Sequence, residues 1–148
     1  MISKKFMGVA IAGLLAAGTV AALAQEFVAP ATPEEAVTMR QNLMKEDGGI
    51  LRSAGNLTGA DAVAAMTKLR DNYSHIPALF PEGSIVGESE ALPAIWENFD
   101  AFTAIADAGV AAAESGIAAA EAGDAAAYAA AIQALGGTCG QCHQQFRS

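Results

Sequence analysis

Cys139-Gly140-Gln141-Cys142-His143 is the stretch on which the reading of this 148-residue chain turns. On a helix, positions i and i+3 share a face, so the two thiols project together. C-x-x-C-H is the attachment signature of a c-type haem: both thiols add to the vinyl groups of one porphyrin, and the histidine that follows reaches the iron as proximal ligand. The thioether bonds are covalent, so the group stays in place when its iron changes oxidation state. Other uses of the two cysteines fit less well. A thioredoxin-like dithiol needs a βαβ context, and this part of the chain shows no strand-like alternation. A structural zinc site needs four ligands, whereas the chain holds two cysteines and two histidines, with His75 far away in sequence. A plain disulfide leaves His143 without a role.

Outward from the motif, Tyr128, Ile132, Leu135, Cys139, Cys142 and Phe146 recur at steps of three and four, the period of one helix face. Gly123-Asp124 before them reads as a stop followed by an N-cap. Gly136-Gly137 weakens this fourth helix by about 2 kcal/mol of propensity, and would also let a flat group lie against the backbone. Pro93 opens a third helix whose seam is Trp96, Phe99, Phe102, Ala106, Val110 and Ala113, running to about Glu121, with Gly109 and Gly116 as local weak points. A second helix, capped by Thr58, carries Val63, Met66, Leu69 or Arg70, Tyr73 and Ile76 on one face and stops at Pro77. The first helix starts at Thr32-Pro33-Glu34-Glu35, an N-cap, a first-turn proline and a capping box. It carries Val37, Arg40, Leu43, Met44, Ile50 and Leu51 and ends at Gly55-Asn56. Residues 78–92 contain Pro81, Gly83 and Gly87 without a sustained period, and form the one long connection.

Four helices with short outer connections and a longer middle one predict an all-α, antiparallel up-down-up-down four-helix bundle. The helices are rich in alanine and poor in large side chains, which gives a thin core. A haem would be a large apolar filler between them, so the apoprotein is expected to be loose or unfolded.

The first 24 residues read as a secretory leader. Lys4 and Lys5 form a positive start, Phe6 to Val20 an apolar run, and Ala22-Leu23-Ala24 a small-x-small cleavage pattern. The apolar run is shorter than the roughly 20 residues of a spanning helix, so the positive mean hydropathy does not indicate a membrane protein. The mature chain is expected to be a single cytochrome domain, residues 25–148, exported to a bacterial periplasm and without stable membrane insertion. Losing Lys4 and Lys5 leaves six Lys+Arg against sixteen Asp+Glu, a charge of −10. Such a surface repels nucleic acid and anionic lipid and steers toward basic patches on partner proteins.

Bundle topology places the end of helix four beside the start of helix one, the end of helix two and the start of helix three. Candidates to meet His143 are therefore Arg40, Met44, Leu69, Arg70, Tyr73, Trp96 and Phe99, with His75 and Arg147 near the same end. For Trp96 and Phe99, core packing is the preferred role. No paired acid and base and no nucleophile with a histidine is evident, so a non-enzymatic protein is expected.

Taken together, Arg40-Gln41-x-x-Met44, Leu79-Phe80-Pro81, Ile95-Trp96, Gly123-Asp124 and Cys139-Gly140-Gln141-Cys142-His143-Gln144-Gln145-Phe146-Arg147 resemble class II c-type cytochromes, the cytochrome c-prime group and its low-spin, methionine-ligated relatives. The resemblance covers essentially all of the mature chain. Cytochrome c-prime is itself a standard example of the up-down-up-down topology, so that agreement is not independent. The resemblance implies one covalently bound haem c per chain, attached through Cys139 and Cys142 with His143 as proximal iron ligand. It also implies Arg40 near a propionate, Arg147 beside the haem or its propionates, and Met44 at the distal position. Within that family a distal methionine either ligates the iron, as suits an electron carrier among periplasmic redox proteins, or covers it without binding. The second case leaves five-coordinate, high-spin iron that binds nitric oxide or carbon monoxide. Ligation by Met44 is the preferred expectation on ligand softness, with His75 as a runner-up sixth ligand. A homodimer through the first two helices is common in that family.

Overall fold

The computed structural model describes residues 27–148 of the chain; the leader and its cleavage point lie outside them. Five helices follow one another: α1 (Pro33–Ala54), α2 (Gly59–His75), α3 (Ala94–Glu97), α4 (Phe99–Ala122) and α5 (Ala125–Phe146). The four long ones, α1, α2, α4 and α5, make the bundle. No helix among the described residues is long and apolar enough to cross a membrane.

The ends of these helices follow from local chemistry. Thr32 Oγ1 accepts from the Glu35 N–H at 3.1 Å, while Glu35 Oε2 reaches back to the N–H of Ala31 at 2.8 Å, one residue before the cap. One first-turn donor is thereby satisfied, and the residue before the cap is pinned to the helix. Thr58 takes the extended N-cap conformation of α2 but makes no side-chain cap bond. Pro77 ends α2 and leads into a 3₁₀ turn, Pro77–Leu79. Gly123, at φ 69°, closes α4 in the left-handed conformation that favours glycine, and Asp124 Oδ1 caps α5 through the Ala127 N–H at 2.9 Å.

One expected element divides. The helix read as opening at Pro93 is broken at Asn98, whose backbone leaves the helical region and whose side chain caps α4 through Ala101. An asparagine offers the chain a competing side-chain bond, and here that bond restarts the helix.

Met66, Leu69, Leu79, Ile95, Phe102 and Leu135 are fully buried. Dense packing runs from α2 to α4 and from α4 to α5. Gly109 and Gly116, read from the sequence as weak points, are where the dense seam closes. A β-carbon at Gly109 would fall inside the Tyr73 ring, and one at Gly116 would lie 2.7 Å from Met66 Sδ. By contrast α1 and α5 barely touch, and the space between them positions everything that follows.

Candidate cofactor site

The gap between α1 and α5 is a cavity of about 820 Å³, within the range of cofactor sites. Phe146 sets the rotation of α5. It is buried and packs edge-on against Phe102 of α4, centroids 5.4 Å apart at 85°. One turn earlier, Cys142 and His143 face the cavity, and Cys139 faces it three residues before Cys142. Both cysteines are free and half-buried. Burial pushes the Cys142 thiol up to about 11, with Cys139 adding to the rise. The His143 imidazole is pushed down by burial and by the charge of Arg147, against a smaller opposing pull from Glu90. A neutral imidazole is the form that can ligate a metal.

Tyr73, wedged over Gly109, reaches the same cavity from α2. Its hydroxyl lies 3.0 Å from Thr138 Oγ1 and 3.0 Å from Cys139 Sγ, so it braces the first cysteine. Thr138 in turn donates to the Leu135 carbonyl at 2.7 Å.

The α1 wall is a stripe: Arg40, Met44, Asp47 and Leu51, at steps of four, three and four. Arg40 is 5% exposed. Its Nη1 donates to Leu79 O at 3.3 Å and Ser84 Oγ at 2.8 Å, and its Nη2 to Ser84 O at 2.7 Å and Ser89 Oγ at 2.6 Å. The guanidinium also lies 4.5 Å over the Phe80 ring. Arg40 thus gathers the long connection onto α1. Burial lowers its pKa, and it has no carboxylate partner among the described residues. A buried guanidinium without an anion is costly, so this corner of the cavity suits an anionic group such as a haem propionate.

Asp47 is 3% exposed. Asn72 Nδ2 donates to Asp47 Oδ1 at 2.7 Å and to Glu46 Oε2 at 2.9 Å, and Lys68 pairs with Glu46 at 3.2 Å. Burial pushes the Asp47 carboxyl up to about 6 in spite of the bond from Asn72.

At the mouth, the chain end is tied to the long connection. Leu92 N–H donates to Phe146 O at 3.0 Å, Ser148 N–H to Glu90 O at 2.9 Å, and Arg147 pairs with Glu90 at 2.5 Å.

The structure therefore brings Arg40, Met44, Tyr73, Cys139, Cys142, His143 and Arg147 to one cavity. Other candidates fall elsewhere. Trp96 donates its indole N–H to Phe80 O at 3.0 Å and lines a separate surface hollow. Phe99 is 38% exposed and packs on Phe102, and it is Phe102, one turn on, that lines the cavity. His75 stacks on Phe27 with centroids 4.0 Å apart, Arg70 pairs with its neighbour Asp71, and neither lines the cavity. Asp47 is not among the residues the sequence singles out, although it keeps register with Arg40, Met44 and Leu51. The serines that hold Arg40 carry no such signal.

A donor set of two thiols, an imidazole, a thioether and a buried guanidinium, around an apolar cavity of this size, fits a haem. Gly136 adds to that fit: it lines the cavity, and a β-carbon there would meet nothing within 4 Å.

Comparisons with known proteins point the same way. Residues 34–147 match the family model described as Cytochrome C′. The chain is 40% identical over 118 residues to a cytochrome c-556 of Agrobacterium tumefaciens (strain II Chrys), covering 75% of this chain and 95% of that one. It is 36% identical over 149 residues to a cytochrome c′ of Rhodospirillum rubrum, covering 98% and 99%. A solved cytochrome c′ with ligand-controlled dimer dissociation superposes with a TM-score of 0.72 at 28% identity, over 81% of this chain and 99% of that one. The protein is a monohaem cytochrome of electron transfer or gas binding, with covalently bound haem c. On the family match, the two relatives and the shared bundle, this chain belongs to the cytochrome c′ family of class II c-type cytochromes.

Proposed function

We propose that this protein is a periplasmic electron carrier whose haem iron takes His143 and Met44 as axial ligands. One observation carries the reading: Met44 of α1 and Cys139-x-x-Cys142-His143 of α5 line the same cavity. When bound, the haem supplies a one-electron couple at its iron. Cys139 and Cys142 hold the group through thioethers, with Tyr73 bracing Cys139. His143, kept neutral by burial and by Arg147, presents a free ring nitrogen. Arg40 would hold a propionate; its bonds to Ser84 and Ser89 fix the guanidinium in advance. The Met44 thioether is a soft ligand that favours the ferrous state. Leu51, Ile76, Phe102 and Ile105 give the cavity apolar walls, which would keep reorganisation small on electron transfer.

A pyridine haemochrome assay on the purified protein should report one covalently bound haem per chain, and its absence would overturn the reading. The ferrous protein should bind carbon monoxide poorly; ready binding would favour the second reading, a five-coordinate gas-binding protein. Gly48 bears on that alternative: it lines the cavity one turn from Met44 and brings no side chain to the distal wall. Export rests on the leader sequence, and mass spectrometry of the mature protein should find its start near Gln25. The charge of −10 on residues 25–148 suits a redox partner with a basic docking patch. A homodimer through α1 and α2 is in keeping with the dimeric solved relative, and sedimentation of the holoprotein would test it.

A further inference from the structure

We propose that the buried carboxyl of Asp47 is a proton-binding site coupled to the haem iron, taking up a proton from solvent when the haem is reduced and releasing it on oxidation. The inference rests on haem occupying the α1–α5 cavity, and not on ligation by Met44.

Three observations place the site. Asp47 is 3% exposed and lines the cavity, three positions beyond Met44 on the same helix face. Its hydrogen-bond partner is neutral, the Asn72 amide at 2.7 Å. No cation forms an ion pair with it among the described residues, since Lys68 is held by Glu46 at 3.2 Å. A carboxyl buried beside a neutral amide is poised between its charged and neutral forms, and the upward push that burial gives it is consistent with this.

The charged and titratable groups around it leave it the responsive one. From α1, Glu46 faces it and is half-exposed, as is its partner Lys68 from α2; Arg40, two turns earlier on the same stripe, is held by Ser84 and Ser89, and Lys45 and Glu88 lie along the same cavity. Tyr73, also from α2, is kept as a neutral phenol by burial. Across the cavity, Glu90 and Arg147 satisfy each other at the rim, and His143 is committed to the iron.

An electron delivered by the redox partner removes one unit of positive charge from the iron. The carboxylate across the same apolar walls then loses part of its electrostatic support, and its proton affinity rises. One proton from solvent adds to a carboxylate oxygen of Asp47, forming one O–H bond, and oxidation reverses both transfers. By linkage, the proton raises the reduction potential as much as the electron raises the proton affinity.

The test is a spectroelectrochemical titration of the holoprotein between about pH 4 and 9, a span that brackets ordinary and raised carboxyl values. The midpoint potential should fall as pH rises through the mildly acidic range and flatten on either side. Asp47→Asn should abolish that slope and hold the potential near the wild-type low-pH plateau. Asn72→Ala, which removes a bond favouring the charged carboxylate, should move the slope to higher pH. A wild-type potential that does not vary with pH would overturn the proposal, as would a slope unchanged in Asp47→Asn. If Asp47→Asn fails to mature, the Asn72→Ala profile decides, and an unmoved slope overturns the proposal. A reversible one-electron wave in these samples keeps the haem reading intact whichever way the slope falls.

Discussion

The α2–α4 seam and the α1–α5 gap each set an alanine-rich helix, α4 or α5, against a more polar one, yet one is closed and the other is held open. In the seam, each glycine faces a large side chain that sinks onto it: Tyr73 onto Gly109 and Met66 onto Gly116. In the gap, a β-carbon at Gly136 would meet nothing within 4 Å. Bulk on one side and its absence on the other decide whether small residues draw two helices together. Arg40 props the rim by binding the long connection to α1, while Phe146, Arg147 and Ser148 bind the other end of that connection to α5. The opening is thus tied at its edges and bare in its interior, as a cofactor site must be.

Removing the haem should break the contrast most severely. Without the haem, the apolar opening of about 820 Å³ between α1 and α5 leaves its lining without packing partners, so the gap must flood or collapse. The double variant Cys139→Ala/Cys142→Ala should lose most of its helical circular dichroism signal at ambient temperature; a fully folded apoprotein would refute this.

Glycine substitutions test the closed seam next, against an exposed glycine of α5 outside the cavity lining. Gly109→Ala forces a methyl into the Tyr73 ring and should destabilise the holoprotein by about 3 kcal/mol in urea unfolding. Gly137→Ala, on α5 where a β-carbon meets nothing within 4 Å, should be neutral or stabilise by up to about 1 kcal/mol. Equal effects at both positions would mean that the seam is not what glycine is closing.

Asp47 sharpens the comparison from inside the gap. A carboxyl whose folded-state value is raised from 3.8 to about 6 binds its proton more tightly folded than unfolded. Its contribution to stability is therefore present at low pH and is lost as pH climbs through that window. Asp47→Asn should leave stability at pH 4 nearly unchanged and raise it by about 2 kcal/mol at pH 7, read from urea midpoints. A gap between the two proteins that is the same at both pH values would contradict the buried-carboxyl account.

The bundle was legible because its signals are local: caps at Thr32 and Asp124, breaks at Pro77 and Gly123, and seams of period three and four. The cysteine motif and the Arg40–Met44 spacing were legible for the same reason. What escaped depends on partners distant in the chain. The bonds from Arg40 to Ser84 and Ser89 cross 44 and 49 residues, and no periodicity announces them. Gly109 and Gly116 read as weaknesses because a glycine carries no mark of what will lie on it. Trp96 and Phe99 fall in the right seam, but the break at Asn98 changes the helix between them, and Phe102 takes the inward place. Asp47 carries no signal in the sequence because a carboxylate in an amphipathic helix ordinarily faces water.

The central claim is that both walls of the gap reach the iron, α5 through His143 and α1 through Met44. Electron paramagnetic resonance of the ferric protein, beside that of Met44→Ala, tests it most directly. The account predicts a low-spin signal that becomes high-spin when the thioether is removed; a wild-type signal that is already high-spin, or a low-spin signal unchanged by the substitution, would contradict it.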